Sequence, residues 1–294
     1  MNLAALSSAT YSIPFSIDLA GKVAVVTGGS GVLGAAMCRA LAACGAKVVI
    51  LGRDLAKAEA LAAGIEETGG IAQGVSCDVL DRTALETVAA HIASTFGSCD
   101  ILINGAGGNH PKGTTSMEAY DEGILTTDTS QTSFFDLDVA GFDFVFNLNL
   151  MGTLLPCQIF GKQMLGRKGC SIINISSMSA MKPLTKVAAY SNAKAAVSNF
   201  TQWLAVHFAK TGIRVNALAP GFFITEQNYN LMMQPDGEYT PRAKKVIAQT
   251  PMARFGEPDE LLGALLWLVE PKASGFVTGA IIPVDGGFSA YSGV

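Results

Sequence analysis

The stretch KVAVVTGGSGVLG, Lys22 to Gly34, restricts this chain more than any other. A short run of β-branched apolar residues ends abruptly in glycine. It gives way to SGVLGAAMCRALAACGA, apolar at helical spacing, and then to a second apolar run, KVVILG. Runs that are apolar throughout, rather than alternating, suit strands buried on both faces. Two such strands joined by a helix make a parallel βαβ unit, which predicts an open parallel sheet covered by helices. In its first turn Gly29, Gly31 and Gly34 fit G-x-G-x-x-G. Glycines there let the backbone approach a pyrophosphate, and the start of the following helix favours its negative charge. A purely structural turn is the alternative.

The alternation continues along the chain. DLAKAEALAAGIEETGG reads as a helix and IAQGVSCDV as a strand; DRTALETVAAHIASTFG is again a helix, and DILINGAGG a strand entering a glycine turn. The whole reads as one α/β unit with a Rossmann-type, doubly wound parallel sheet, in which ligands bind beyond the carboxyl ends of the strands. Asp78, Asn104, Ala106, Gly107, Ser177 and Pro220 all fall at such ends. The second strand ends Gly52-Arg53-Asp54. An acidic residue at that end holds the ribose hydroxyls of NAD, whereas an arginine pairs bidentately with a 2′-phosphate. Arg53 therefore favours NADP(H), while Asp54, one position further along, keeps NAD(H) open.

Composition narrows the partners. The protein has 294 residues, 49% hydrophobic and 15% charged, with a net charge of -4 and no basic block. Nucleic acid is not an expected partner. No uninterrupted apolar run long enough to cross a bilayer stands out, and the opening MNLAALSSATYSIPFS makes a poor signal peptide. The six cysteines are scattered without CxxC or metal-ligand spacing, which suits reduced, buried thiols in a cytoplasmic protein and no catalytic metal. Residues 1–16 read as a flexible arm, and 17–294 as one domain.

Tyr190 and Lys194 stand four apart at the start of a long alanine-rich helical pattern, and Ser177 lies thirteen residues before the tyrosine. Positions i and i+4 share a helix face, which brings phenol and ammonium near each other. A free tyrosine, with a pKa of about 10, is a poor proton carrier at pH 7. A cation about 4 Å away supplies on the order of 4 kcal/mol toward phenolate at an effective dielectric near 20.

These pieces together resemble the short-chain dehydrogenase/reductase family over nearly the whole length after about residue 17. The matching residues are the Gly28–Gly34 turn, Asp78, Asn104-Gly-Ala106-Gly107, Asn149-Leu-Met-Gly152, Ser177, Tyr190, Lys194, Asn216, Pro220-Gly221 and Asp285-Gly286-Gly287. The resemblance implies that Tyr190 is the general acid in carbonyl reduction and the base in alcohol oxidation. It implies that Ser177 orients the carbonyl, that Lys194 lowers the tyrosine pKa and binds the nicotinamide ribose, and that Asn149 holds a water leading to solvent. It further implies a cofactor site of Gly28, Gly29, Gly31, Val32, Leu33, Gly34, Arg53, Asp78, Val79, Asn104, Ala106, Gly107, Tyr190, Lys194, Pro220, Gly221, Phe223 and Thr225. Family members are commonly tetramers, so a homotetramer is expected. One departure stands out: the family turn is TGxxxGxG, and its middle glycine position is Val32 here. The turn is expected to persist with an altered path.

Two long segments interrupt the pattern. The first, about 108–140, is longer than typical members need, polar, and starts with Asn109-His110-Pro111-Lys112 beside the cofactor strand. Long loops in compact domains are often functional. The second, about 222–256, is the lid over the substrate in this family. The strings GAGGNHPKGTT, SSMSAMKPLTKVAAYSNAKAA, APGFFITEQN and PVDGGFSAYSGV resemble one group within it, the D-mannonate oxidoreductases (fructuronate reductases) of this short type. That narrower resemblance implies interconversion of D-fructuronate and D-mannonate. Asn109, His110, Lys112, Ser177, Lys186, Tyr190 and Gln227 are the candidate substrate contacts, with lysines for a carboxylate and amides for hydroxyls. Same-fold reductases of a ketogluconate, a polyol or a 3-oxoacyl thioester, and a dinucleotide sensor without catalysis, are the competing readings.

Overall fold

The computed structural model describes residues 16–123, 130–226 and 228–293. Seven strands form one parallel sheet: β1 (Val23–Thr27), β2 (Lys47–Gly52), β3 (Ile71–Ser76), β4 (Ile101–Asn104), β5 (Ser171–Ile175), β6 (Arg214–Pro220) and β7 (Ile281–Val284). Their order across the sheet is β3-β2-β1-β4-β5-β6-β7. This is the doubly wound α/β fold expected from the alternation. Strand order reverses between β1 and β4, whose registers pair Thr27 with Asn104. A crevice opens beyond the strand ends at such a reversal.

The uniformly apolar strands bury both faces. On one, Val26, Ile50, Ile103 and Leu218 pack against Met37, Leu41, Leu61 and Leu265 of the covering helices. On the other, Val25, Leu51, Leu102 and Ile172 meet Leu85, Ile92, Phe160 and Leu204. Each such side chain, fully buried, contributes roughly 1.5–3 kcal/mol.

Val139–Met164 runs as one helical stretch of 26 residues, apolar and long enough by composition to cross a bilayer, although no such run stands out in the sequence. Half of its most apolar window is buried inside the fold. It is interrupted by a π-helical turn, Asn147–Met151, which carries Asn149. The helix Ala188–Phe208 begins where the Tyr190–Lys194 pattern predicts. The segment about 222–256 is broken into short pieces, chiefly the helices Tyr229–Met232 and Pro241–Gln249, held by a small core of Met232, Ala243, Val246 and Phe255. All six cysteines are free thiols, and only Cys44 is not fully buried.

Candidate active site

The glycine turn after β1 is built by steric necessity. Gly28 has φ +66°, and a Cβ there would stand 2.8 Å from the Ala106 nitrogen. A Cβ on Gly34 would come within 2.3 Å of the Gly28 carbonyl oxygen. Gly31 differs: its Cβ would meet nothing nearer than the Gly28 oxygen at 3.4 Å. It caps the helix Val32–Ala43 with no side chain of its own, so no side-chain cap takes up the first-turn N–H groups. Val32 at the middle position is accommodated because Gly31 closes the turn, its N–H donating to Gly28 O at 3.2 Å. A bare cradle at a helix N-terminus fits a dinucleotide pyrophosphate.

At the adenosine end, Arg53 is exposed, and its carbonyl accepts the Ser76 hydroxyl at 3.2 Å. Asp54 is occupied as the N-cap of the helix Leu55–Glu66, accepting from the Lys57 N–H at 3.1 Å. Asp78 is exposed and closes its own turn by accepting from the Leu80 N–H. Val79 is buried against Gly152, where a Cβ would come within 2.9 Å of it.

Asn104, expected from sequence to lie at the cofactor, turns its side chain away from the crevice. Its side chain lies in the core, donating to Asn174 Oδ1 at 2.8 Å and to Cys157 Sγ at 3.1 Å, while its Oδ1 has no partner. Asn174 in turn donates to Thr201 Oγ1 at 2.9 Å, tying two strands to the helix that carries Tyr190. Asn104 thus braces the site from behind.

Ser177 follows β5 and is 8% exposed. Its Oγ accepts two bonds, from the Ser179 N–H at 3.2 Å and the Ser179 hydroxyl at 3.0 Å. Its own proton is left to donate, and it bonds the Tyr190 phenol. Burial pushes the Tyr190 pKa above its usual value, and Ser177 opposes that shift. Lys194 is buried and donates from Nζ to Ile175 O at 2.8 Å. Burial lowers its pKa to about 8. Lys194 Nζ lies over the Tyr190 ring, 5.7 Å from its centroid.

Asn149 is fully buried, donating to Gly108 O at 2.7 Å and Val145 O at 2.8 Å and accepting from the Gly108 N–H. Its side chain therefore clamps the end of the cofactor loop. A Cβ on Gly107 would lie 2.6 Å from Asn149 Oδ1 and 3.1 Å from Lys194 Nζ, so loop, amide and ammonium converge at one point. Two serines that sequence reasoning passed over support this centre. Ser176 bonds Lys194 O at 3.1 Å and Ser198 Oγ at 2.6 Å, locking the helix to β5, and Ser179 aims Ser177. Their only sequence signal is the run SSMS.

Beyond β6, Pro220 is buried, and Gly221 donates to Val284 O at 2.9 Å, with no room for a Cβ against Asp285. Phe223 is buried beneath Gly256 rather than open to the crevice, and the Thr225 N–H donates to Asn228 Oδ1. Lys57 pairs with Glu226 at 2.9 Å, joining the cofactor-side helix to this segment.

The candidate substrate residues part company. Asn109 donates to Thr114 Oγ1 at 3.0 Å. His110 Nδ1 accepts from the Lys112 N–H at 3.2 Å, and its ring packs against Phe144 in a tilted contact, centroids 4.9 Å apart. Lys112 pairs with Asp138 at 3.4 Å. All three are engaged in holding the loop itself. Lys186, four residues before Tyr190, has φ +74°, and its carbonyl accepts the Thr115 N–H at 3.0 Å. Gln227 lies outside the described residues. Among the described residues, no group of three His, Cys, Asp or Glu side chains could hold a metal ion.

Comparison with known proteins agrees with this geometry. A short chain dehydrogenase family model matches residues 22–235. The protein is 55% identical to an uncharacterized oxidoreductase, UxuB, of Bacillus subtilis (strain 168), over 96% of this chain and 100% of that protein. It superimposes with a TM-score of 0.91 on a solved structure from Haemophilus influenza, provisionally named a D-mannonate oxidoreductase, with bound NAD. That protein is 50% identical, with 96% of this chain and 100% of that one covered. A gluconate 5-dehydrogenase from Burkholderia cenocepacia J2315, in complex with NADP and tartrate, is 28% identical with a TM-score of 0.79, over 95% of this chain and 99% of that one. The matches cover nearly the whole sequence: the protein belongs to the short-chain dehydrogenase family and is an NAD(P)-dependent oxidoreductase acting on a CH–OH group.

Proposed function

We propose that this oxidoreductase interconverts a keto sugar acid and its hydroxy acid, with D-fructuronate and D-mannonate as the pair. The observation that carries the reading is the half-identical structure named for D-mannonate oxidation, which covers nearly all of the sequence. The relative holding tartrate adds a second case of this fold beside a small hydroxy acid.

Bound NAD(P) would exchange hydride with the substrate carbon. The residues supply the rest. Ser177, already accepting two bonds, directs its single proton at an oxygen placed beside Tyr190. Tyr190 gives its proton to that oxygen in reduction and takes it back in oxidation, and two donors on one developing oxyanion stabilise it. Lys194, anchored on Ile175 O, keeps two further protons, which suit the hydroxyls of the nicotinamide ribose.

The same reading favours NADP(H) over NAD(H). Asp54 is engaged as a helix cap, while the Arg53 side chain is exposed at the strand end. A guanidinium–phosphate pair worth roughly 1.5–3 kcal/mol corresponds to about tenfold or more. Arg53→Ala should lower NADPH preference by that factor, and a wild type that prefers NADH would refute the preference. A cytoplasmic homotetramer with one domain per subunit completes the proposal, and light scattering on the purified protein tests the assembly.

The deciding experiment is a screen of fructuronate, tagaturonate, 5-ketogluconate and acetoacetyl thioesters with NADPH and NADH. The highest kcat/KM is expected with fructuronate. A clear preference for the thioesters would overturn the sugar-acid assignment.

A further inference from the structure

The inserted loop and the lid meet at one ion pair. Lys245 Nζ lies 3.0 Å from Glu118 Oε2, although the two are 127 residues apart. Lys245 sits on the helix Pro241–Gln249, and Arg242 precedes it by three positions. Residues three apart share a helix face, so both cations look the same way. Lys186 approaches from the third side, at the foot of the helix that carries Tyr190. Its left-handed backbone is held by the Thr115 N–H, three residues before Glu118. A lysine pays a steric cost for φ +74°, and such conformations cluster where function demands them. Lys245 chiefly, with Lys186 and Arg242 adding to it, holds the Glu118 carboxyl below the usual carboxylate range.

Glu118 is thus paired with Lys245 and lies within the electrostatic influence of Lys186 and Arg242. Among the described residues neither Lys186 nor Arg242 has an ion pair of its own, whereas Lys112 is already paired with Asp138. Lys186, four residues before Tyr190, ties this surplus of positive charge to the segment that leads into the catalytic helix, which suits an anionic substrate end. Glu118 and Lys245 are both solvent-accessible, and an accessible pair is held weakly enough to be exchanged.

We propose that Lys186, Arg242 and Lys245 bind the substrate's carboxylate, and that Glu118 holds their place until that carboxylate displaces it. The inference rests on the sugar-acid reading. It identifies the cations that read the acid and makes the Glu118–Lys245 pair an internal competitor. A competitor that occupies the receptor part of the time raises the apparent dissociation constant by the inverse of the free fraction.

The test is steady-state kinetics of the full-length enzyme with 5-ketogluconate or fructuronate and, in parallel, neutral D-fructose. Arg242→Ala and Lys245→Ala should raise KM for the acid about tenfold or more, with smaller effects on fructose and on NAD(P)H, because each removes a charge-assisted bond. Glu118→Gln should lower the acid's KM by about threefold and leave that of fructose unchanged. Arg242→Lys should recover part of the lost affinity. If Glu118→Gln raises the acid's KM, as loss of a lid strap would, the displacement idea is overturned. If the wild type turns over acids but both cation variants keep KM within about twofold, the receptor is elsewhere while the sugar-acid reading survives. If the wild type turns over fructose and no acid, both fall together.

Discussion

Lys194 does not reach for the Tyr190 oxygen in this structure: its ammonium lies 5.7 Å from the centre of the ring and is anchored on the Ile175 carbonyl at 2.8 Å. The polar partner that the phenol does have is Ser177, which itself accepts twice from Ser179. The ribose-binding function that family resemblance gives to Lys194 is therefore separable from the Ser177–Tyr190 pair by experiment.

Tyr190→Phe removes one oxygen from a half-buried ring that packs with Val145, Ala189 and Ala193. The fold and cofactor affinity should be retained. Turnover should fall at least about 100-fold, the usual scale of general acid catalysis. Stopped-flow hydride transfer with saturating NAD(P)H checks this, and near-normal rates would remove Tyr190 from the chemistry.

Lys194→Met should separate stability from binding. Burial lowers the Lys194 pKa from 10.5 to about 8. Between those values the unfolded state binds a proton that the folded state lacks, so this group's contribution to stability rises with pH across the window. Below about pH 8 the folded protein carries the buried charge at its full cost, on the order of 3 kcal/mol before the Ile175 hydrogen bond is credited. The cofactor-free variant should therefore match or exceed the wild type in denaturant stability at pH 7, and that advantage should shrink toward pH 10. Cofactor affinity should drop, because the ribose loses a donor. A variant that is less stable at pH 7 and binds cofactor normally would make Lys194 a structural residue.

The glycines of the first turn carry different burdens, and the structure ranks them. Gly34→Ala drives a methyl to within 2.3 Å of the Gly28 oxygen, so backbone must move and the melting temperature should fall by several degrees. Gly31→Ala places its methyl in the open space in front of the helix, with its nearest contact at 3.4 Å. That variant should melt close to the wild type while losing cofactor affinity, since the methyl stands where a pyrophosphate would approach. Equal loss of melting temperature in both would mean that the cradle is merely a tight turn.

The residues behind these predictions were not equally legible. The strand runs, the glycine turn and the Tyr190–Lys194 spacing are local patterns, and they place the parallel sheet and the centre of the site because parallel strands must be apolar on both faces. The position of Asn104 at a strand end does not reveal which way its amide turns; only its pairing with Asn174 across β4 and β5 shows that the side chain faces the core. The support from Ser176 and Ser179 was hidden for a similar reason, as serines are common at strand ends. The Glu118–Lys245 contact had no sequence signal, because exposed opposite charges 127 residues apart pair only once both segments are folded. The left-handed Lys186 gave none either, since such positions ordinarily announce themselves as glycine or asparagine.

The last prediction concerns the head of the inserted loop. From sequence, His110 and Lys112 were expected to bind the substrate directly. In the structure the His110 ring packs at a tilt against Phe144 and its Nδ1 accepts from the Lys112 N–H, while Lys112 pairs with Asp138 on the far side of the insertion. Gly113 then packs against Ala189, the neighbour of Tyr190, where a Cβ would stand 3.2 Å from the alanine methyl. These contacts make the loop head a brace between the insertion and the catalytic helix. Lys112→Ala breaks only an accessible ion pair, and the melting temperature should barely move, as for most exposed substitutions under about 0.5 kcal/mol. His110→Ala loses both a ring contact and a cap, and should cost more, of order ~1 kcal/mol. If the brace is what matters, His110→Ala lowers kcat by misplacing Tyr190, His110→Asn restores the cap and part of kcat, and Lys112→Ala leaves KM for the sugar acid within about twofold. If instead Lys112→Ala raises that KM tenfold at unchanged melting temperature, Lys112 leaves Asp138 to bind the carboxylate, and the loop head belongs to the substrate site after all. Measuring kcat, both KM values and the melting temperature on the three variants separates the two outcomes.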